Sequence, residues 1–352
     1  SRDWSSDVCS SDLINKNGRK RMITVAVDGM GGDNAPACMV QGAVDAINKN
    51  SSIKVLLTGR PDDLNKALEG LTYDKSRLEI VPASEVIETG APPVESVRTK
   101  KDSSLVVGLK LVKEQKADAF VSCGSTGAVL VGGQLIAGKI KGVKRAPLAP
   151  VIPTVNGAML LVDCGANVDA RAEQLVQFAK MGSIYAEHVM GIKNPRVGIV
   201  NIGAEEEKGN ALVKETYPLL KECSDINFIG NVEARDIPYG PCDVLVCEAF
   251  VGNVILKLYE GVGSALIKEI KSAMLSTTAG KIGGLLAKPS LKGVVKKFDA
   301  SEYGGAPLLG LKGLVVKAHG SSKAKEVTTA IEQCVSFTEA DIAAKIEKSL
   351  SV

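Results

Sequence analysis

The sequence predicts an α/β fold with three layers, α/β/α, around a mainly parallel sheet. Short apolar runs alternate with amphipathic stretches along almost the whole of the 352 residues. Several of the runs are apolar without alternation, as expected for strands that helices cover on both faces. Because the stretches between them have the helical period, the alternation favours strand–helix–strand units and hence parallel pairing.

The predicted strands follow one another at regular intervals. They are Ile23–Val27, Ile53–Thr58, Leu78–Val81, Ala119–Ser122, Ala158–Val162, Val197–Asn201, Ile226–Ile229, Val244–Cys247 and Leu314–Ala318. Helical periodicity is clearest over Leu175–His188 and Val254–Leu275. The Pro-rich passage Lys144–Thr154 is typical of a crossing between two lobes, so residues 22–352 are expected to form one domain with room for two lobes.

Residues 1–21 differ in composition from the rest of the chain. The stretch "DWSSDVCSSDL" resembles a translated sequencing adapter, and the basic "INKNGRKR" follows it. We expect Met22 to be the native start and residues 1–21 to be a non-native leader. A short disordered native tail is the alternative interpretation.

Charge and cysteine usage exclude several classes of function. The net charge is +3, or +1 without residues 1–21, which does not favour a nucleic-acid partner. Eight scattered cysteines and only two histidines predict no metal site, and no cofactor is expected. Reduced thiols without a signal peptide indicate the cytosol. No run approaches the roughly 20 apolar residues of a membrane-spanning helix.

Polar or glycine-rich segments follow most of the predicted strands. They are "DGMGGDN" (28–34), "CGSTGA" (123–128), "DCGANVDA" (163–170), "NIGAEEEKGN" (201–210), "GNVEARD" (230–236), "EAFVGN" (248–253) and "HGSS" (319–322). Ligands of parallel α/β sheets bind at the carboxyl ends of strands. We therefore expect these loops to line one edge of the sheet and to form a large site.

Two of these loops combine glycine with Ser or Thr at a helix start, which suits an anion such as phosphate. A structural N-cap explains any single loop equally well. His319 lies at such an edge, where a titratable group is often functional, although a structural role is the alternative. Arg235, bracketed by acids, either holds phosphate or forms an internal ion pair. No nucleophile motif is present, so the substrates are expected to react directly with each other.

Taken together, the motifs resemble one family, the bacterial phosphate acyltransferases of phospholipid synthesis that use fatty acyl-carrier-protein thioesters. They occur in order: "VDGMGGDNAP", "SCGSTGA", "RAPLAPVIPT", "VDCGANVDARAEQLVQFA", "NIGAEEEKGN", "NFIGNVEARDI", "FVGNVILKLYEG" and "YGGAPLLGLKGLVVKAHGSS". The resemblance covers the chain from Met22 onward. It implies transfer of an acyl group from acyl-carrier protein to inorganic phosphate, a homodimer, and a fold similar to phosphotransacetylase and the isocitrate/isopropylmalate dehydrogenases.

The resemblance and the loop chemistry together select the candidate site residues. Those expected to cradle phosphate or the pantetheine arm, or to donate to them, are Gly31, Gly32, Ser125, Thr126, Gly127, Asn201, Asn210, Asn231 and Asn253. The candidates for proton handling, charge or oxyanion support are Asp33, Lys208, Glu233, Arg235, Glu248 and His319. Asp28 is expected only to brace its loop.

Two surface stretches predict further partners. The basic stretch Gly138–Arg145 suits an acidic carrier protein, with a solvated loop as the alternative. Lys281–Lys297 sets Ile282, Leu285 and Leu286 among lysines, which is typical of a peripheral contact with anionic lipid. Core packing with snorkelling lysines is the competing interpretation. With the resemblance, this predicts association with the inner face of the membrane, near a downstream glycerol-3-phosphate acyltransferase.

Three other functions are compatible with parts of the pattern. A phosphotransacetylase acting on acyl-CoA would use the same attack by phosphate. A dehydrogenase of similar fold lacks a recognisable cofactor loop here, since the third glycine of GxGxxG is missing from "GMGGDN". The third possibility is not an enzyme: a membrane scaffold that positions the enzymes of lipid synthesis.

Overall fold

The computed structural model describes residues 21–298 and 303–350, apart from the side chains of residues 295 and 296. The predicted leader therefore lies outside the described residues except for Arg21, which pairs with Asp118. The chain divides into two compact units. The first falls within Ser1–Ile140 and Leu311–Lys345, and the second within Lys141–Gly310 and Ile346–Val352.

The first unit contains five parallel strands. They are β1 (Ile23–Asp28), β2 (Ile53–Gly59), β3 (Leu78–Pro82), β4 (Ala119–Ser122) and β11 (Leu314–Lys317). Their order in the sheet is β11-β4-β1-β2-β3. Because the chain moves outward from β1 to β3 and then returns to the other side of β1, the order reverses between β1 and β4. Such a reversal is where open α/β sheets bind ligands.

Helices cover both faces of this sheet. The first unit holds α1 (Ala37–Lys49), α2 (Pro61–Leu68), α3 (Pro93–Thr99), α4 (Ser104–Lys113), α5 (Thr126–Gly132) and α10 (Ala324–Glu339), with a π-helical turn over Gly133–Ala137 and a 3₁₀ turn over Lys75–Arg77. Helices α1 and α10 pack together, and α4 packs on β1, β2 and β4. Strand β1 is almost completely buried, which explains its continuous apolar run.

The second unit has a mixed sheet. Its strands are β5 (Val151–Thr154), β6 (Gly157–Val162), β7 (Arg196–Asn201), β8 (Asn227–Glu233) and β9 (Val244–Val246), in the order β5-β6-β9-β7-β8. Only the β5–β6 pair in this sheet is antiparallel. The helices are α6 (Ala172–His188), α7 (Ala211–Lys221), α8 (Ala249–Leu275) and α9 (Thr278–Lys297), with a 3₁₀ turn over Ala234–Tyr239. The short strand β10 (Ala306–Pro307) and the C-terminal helix α11 (Ile342–Leu350) complete the described elements.

The α/β class and all nine predicted strands are confirmed, with two informative differences. Strand β5 lies inside the passage that was expected to be only a crossing. It is an edge strand, and an edge position tolerates Pro153, which has no N–H to donate. Strand β8 continues past Ile229 because Gly230, at φ +100°, accommodates a bulge against β7.

The expectation that all seven loops line one edge is wrong. Three of the loops follow strands of the first sheet, namely 28–34, 123–128 and 319–322, and the other four belong to the second unit. The expectation that no apolar run approaches spanning length is also not met. Within the described residues, α8 is the one helix long and apolar enough to cross a membrane, with a window of mean hydropathy 1.3. That criterion rests on length and composition alone.

Candidate active site

Three strand-end loops of the first unit are joined at the carboxyl ends of β1, β4 and β11. The backbone N–H of Asp33 donates to the carbonyl of Gly320 at 2.8 Å. The Asn34 side-chain amide donates to the carbonyls of Ser321 and Ser322 at 3.0 and 3.2 Å. The loops 28–34 and 319–322 are therefore fastened together beside the reversal between β1 and β4.

Two of the predicted phosphate-cradling glycines lie where these loops touch. A Cβ on Gly31 would be 2.4 Å from Asp28 Oδ2 and 2.8 Å from the Gly124 nitrogen. Gly32 has φ +99°, and its Cβ would meet Cys123 Cβ at 2.8 Å. Because neither position has room for a side chain, both glycines bring the three loops into direct contact.

The "SCGSTGA" loop places its polar residues differently. Ser125 is buried and caps α5, since its hydroxyl accepts from the Ala128 N–H at 3.4 Å. Thr126 is exposed at the first position of the helix. A Cβ on Gly127 would be 2.5 Å from Pro93, so this glycine serves the packing of α5 on α3. Ser125 is therefore a structural N-cap, and Thr126 is the residue of this loop whose hydroxyl is exposed.

His319 and Asp33 are both exposed beside the joined loops. The Ser321 N–H donates to His319 Nδ1 at 3.2 Å, and the Ser321 hydroxyl lies 2.8 Å from the same nitrogen. In the neutral ring the hydrogen is therefore placed on Nε2, which makes that atom a donor. A Cβ on Gly320 would lie 3.7 Å from an Asp33 carboxylate oxygen, so that carboxylate lies beside the residue that follows His319.

A cavity of about 400 Å³ adjoins the glycine loop within the first unit. Its lining is Met30, Gly32, Ala35, Pro36, Arg60, Asp63, Val86 and Glu88. The Arg60 guanidinium is paired with Asp63 at 2.6 Å, so the charge of the lining is on balance negative. This chemistry suits a neutral polar chain better than a free anion.

In the second unit, two predicted asparagines hold the loop 202–210. Asn201 is buried, accepts from the Ile202 N–H at 2.8 Å and donates to the Lys208 carbonyl at 3.1 Å. Asn231 donates to the Glu205 carbonyl at 2.9 Å, and its buried Oδ1 has no hydrogen-bond partner among the described residues. The side chain of Lys208 is exposed on this braced loop.

The remaining predicted residues of the second unit have defined partners or positions. Asn210 caps α7 by accepting from the Val213 N–H at 2.9 Å. Glu248 caps α8 by accepting from two backbone N–H groups at 2.6 and 2.9 Å. Asn253 is exposed on the first turns of α8.

Arg235 and Glu233 pair with each other at 3.0 Å. Of the two interpretations of Arg235, the ion pair is therefore formed. The guanidinium is nevertheless largely exposed, which leaves it accessible to an anion. Its place at the end of β8, where the 3₁₀ turn begins, is the strand-end position that the sequence predicted.

Asp163 was not singled out from the sequence, although its loop was. Its carboxylate is fully buried and accepts from the Leu148 N–H at 2.9 Å, the Ala166 N–H at 3.1 Å and the Asn167 amide at 2.7 Å. Burial raises the pKa of this carboxyl against the effect of those hydrogen bonds. The available signal in the sequence was an acid directly after an apolar strand. In the structure, Asp163 joins the loop 163–167 to the Pro-rich passage.

The cysteines nearest the loops are not activated. Burial raises the pKa of the Cys123 thiol to about 11, and it also raises the pKa values of Cys164 and Cys247. A thiol rather than a thiolate is therefore present at neutral pH. That no protein nucleophile takes part stays a prediction.

Comparison with known proteins identifies the family. A sequence model described as "Fatty acid synthesis protein" matches residues 23–345. A phosphate acyltransferase of Clostridium acetobutylicum is 53% identical over 326 residues, which are 93% of this chain and 98% of that protein. One of Clostridium tetani is 50% identical over 326 residues, 93% of this chain and 97% of the relative. The chain belongs to the phosphate acyltransferase family.

Solved structures support the fold independently. A phosphotransacetylase from Streptococcus pyogenes superimposes with a TM-score of 0.60 at 16% identity and covers 92% of this chain and 94% of its own. A branched-chain phosphotransacylase from Enterococcus faecalis gives 0.55 at 14% identity, over 91% and 99% of the two chains. At such identities the likeness concerns the fold, and it confirms the predicted similarity to phosphotransacetylase. Similarity to the dehydrogenases stays a prediction.

Proposed function

We propose that this member of the phosphate acyltransferase family transfers a fatty acyl group from acyl-carrier protein to inorganic phosphate and releases acyl phosphate for phospholipid synthesis. Membership of the family supports the reaction class. The observation that carries the site is the joining of three glycine-bearing loops beside the sheet reversal in the first unit. Acyl-carrier protein as the acyl donor goes beyond the reaction class, and it is the part that we propose.

The chemistry needs no covalent enzyme intermediate. A phosphate oxygen attacks the thioester carbonyl carbon, the C–S bond breaks, and the carrier thiolate takes up a proton. A thiol of pKa about 8.5 is a good leaving group without strong acid catalysis. The enzyme has to hold a dianion near the carbonyl and to stabilise the oxyanion, which backbone N–H groups and a neutral donor can do.

His319 is the donor that we assign to the oxyanion, through Nε2, with Asp33 positioned for proton handling. Replacing it in His319→Ala should lower kcat by about 10²-fold or more, the usual effect of losing one oxyanion donor. His188→Ala is the matched control, because His188 lies in the last turn of α6 in the second unit. Full activity of His319→Ala in acyl phosphate formation would rule out the chemical role.

Exposure and hydrogen bonding divide the other predicted residues into two groups. Exposed Thr126, Lys208, Asn253 and Arg235 would contact substrate, whereas Ser125, Asn201, Asn210, Asn231 and Glu248 hold loops or cap helices and would act through that support. The cavity beside Gly32 would receive the neutral pantetheine arm of the donor.

The donor can be tested through the basic stretch Gly138–Arg145. Lys144 pairs with Glu173, while Lys141 and Arg145 are exposed. Reversing the charge in Lys141→Glu/Arg145→Glu should raise KM for acyl-carrier protein several-fold and leave KM for acyl-CoA unchanged. Lys193→Glu, an exposed lysine elsewhere in the second unit, is the control. Faster turnover of acyl-CoA than of carrier-bound donor by the unaltered enzyme would favour the phosphotransacetylase alternative.

A membrane contact on α9 is also proposed, at the cytoplasmic face. Ile282, Leu285 and Leu286 are 60%, 71% and 76% exposed, so they are not core residues of the described chain. Lysines surround them, as on interfacial helices that bind anionic lipid. A product that is consumed by a glycerol-3-phosphate acyltransferase in the membrane would be released close to its point of use.

We propose a homodimer that uses α8. Apolar side chains of this helix are exposed at intervals of four residues, at Val254, Leu258, Val262 and Leu266. Such a stripe is stabilised when a second helix covers it. Sedimentation velocity should give a dimer that Leu258→Glu/Val262→Glu converts to a monomer. A monomer without the substitutions would refute the proposal.

A further inference from the structure

Four strands of the first unit end in one row of buried polar side chains. Thr58 pairs with Asp28 in the β2–β1 register, and Lys317 pairs with Ser122 in the β11–β4 register. Asp28 and Ser122 follow the last registered pair of β1 and β4. Residues of one row in a parallel sheet point to the same face. Their exposures are 0% for Thr58, 2% for Asp28, 1% for Ser122 and 7% for Lys317.

Two residues of the row are hydrogen-bonded to each other, and three of the four bond to the backbone at or beside the joined loops. Ser122 donates to Asp28 Oδ2 at 2.7 Å and accepts from the Gly124 N–H at 3.0 Å. Asp28 Oδ1 accepts from the Met30 N–H at 3.3 Å. The Lys317 ammonium donates to the carbonyl of Ala318, next to His319. Each of the three joined loops therefore has a backbone group, at or next to its start, that bonds to a residue of the row.

Stability alone does not explain a buried lysine and a buried aspartate at this place. Burial raises the pKa of the Asp28 carboxyl, and the positive charge of Lys317 opposes that rise. Moving an ammonium or a carboxylate out of water is unfavourable, and apolar residues of similar volume are often at least as stabilising. Neighbouring strands of the same sheet fill their buried positions with Val, Leu and Ile. An ammonium and a carboxyl group that are costly to bury, and that bond to the backbone at the joined loops, are better explained by their effect on those loops.

We propose that Lys317 is a positioning residue that places a buried positive charge beneath the phosphate-binding loops, while Asp28 balances that charge and orients Gly31 and Gly124. The inference rests on the proposed function, because it takes inorganic phosphate as the anion. It assigns the phosphate end of the substrate pair to the first unit. It also gives Asp28 a role beyond bracing its own loop.

The test separates electrostatics from structural support. Lys317→Met and Asp28→Asn each leave one charge buried without its counterpart, whereas Asp28→Asn/Lys317→Met removes both. Affinity for inorganic phosphate is measured by isothermal titration calorimetry, KM for phosphate by acyl phosphate formation, and stability by thermal unfolding. Lys54→Met is the control, since Lys54 lies in the same sheet, away from the loops, and pairs with Glu79 at 3.0 Å.

We expect each single variant to lose stability and the double variant to recover most of it. Phosphate affinity should fall about tenfold or more in Lys317→Met and stay low in the double variant, and Lys54→Met should match the unaltered protein. A double variant that binds phosphate within twofold of the unaltered protein would show that the row is only structural. If the double variant does not fold, Lys317→Met decides, because it removes the buried positive charge alone, and Ser122→Ala, which keeps both residues of the pair, is its control. Phosphate affinity in Lys317→Met within twofold of the unaltered protein overturns the inference.

Failure of the inference is distinct from failure of the proposed function. If the unaltered protein forms no acyl phosphate from acyl-carrier protein but binds phosphate in a Lys317-dependent manner, the proposed donor is wrong and the inference stands. If turnover is normal and Lys317→Met keeps its KM for phosphate, the inference is wrong and the function stands.

Discussion

The exposed leucines of α9 give a quantitative test of the membrane contact. In Leu285→Glu/Leu286→Glu, two side chains that are 71% and 76% exposed become acidic. Burying a leucine completely is worth about 1.5–3 kcal/mol, so transfer of these two partly exposed side chains into lipid should contribute about 2–4 kcal/mol together. That corresponds to a loss of roughly 30-fold to 1,000-fold in the partition coefficient.

Flotation with vesicles of phosphatidylcholine and phosphatidylglycerol measures this change directly. Leu135→Glu is the matched control, because Leu135 is another exposed leucine but lies in the π-helical turn of the first unit. Acyl phosphate formation in solution should be retained by both variants. Equal vesicle binding by the α9 variant and the unaltered protein would refute the membrane contact. Loss of vesicle binding by Leu135→Glu to the same extent would show that the effect is not specific to α9.

Three further substitutions or modifications test the loops and their thiols. Gly31→Ala should destabilise the protein by about 1–3 kcal/mol and raise KM for phosphate, because its Cβ would lie 2.4 Å from Asp28 Oδ2. Gly90→Ala is the control, since a Cβ at Gly90 meets nothing within 4 Å. Equal stability and KM in the two variants would contradict the close packing at Gly31. Asn210→Ala should cost about 1 kcal/mol and lower Tm by roughly 1–2 °C through loss of the α7 cap. A loss of activity at unchanged Tm would make Asn210 a substrate ligand instead. Alkylation of the native protein, followed by mass spectrometry, should modify Cys38 and Cys223 well before Cys123, which is buried. Burial raises the pKa of the Cys123 thiol to about 11, which leaves about a hundredfold less thiolate than the ordinary value of 9.0. Equally fast labelling of Cys123 would contradict its burial.

Local pattern predicted much of this protein because strands and helices carry their own signals. Buried strands such as β1 and β4 have continuous apolar runs, and the loops after them contain the glycines that close approach requires. Proline obscured β5, since the sequence does not show that a segment lies at a sheet edge, where Pro153 is tolerated. The glycine bulge in β8 was hidden for the same reason, because it depends on the register with β7.

By itself the sequence determined the α/β class, the family and the loops that carry the candidate residues, since motifs and periodicity are properties of the chain. Only the tertiary structure decided which loops meet. Asp28, Ser122 and Lys317 are 94 and 195 residues apart along the chain, and parallel pairing sets them side by side. It also decided which polar residues are engaged, as Asn210 and Glu248 are helix caps. Burial and register depend on contacts between segments that are distant in the sequence. The sequence alone therefore does not show which charged side chains are buried and which are exposed.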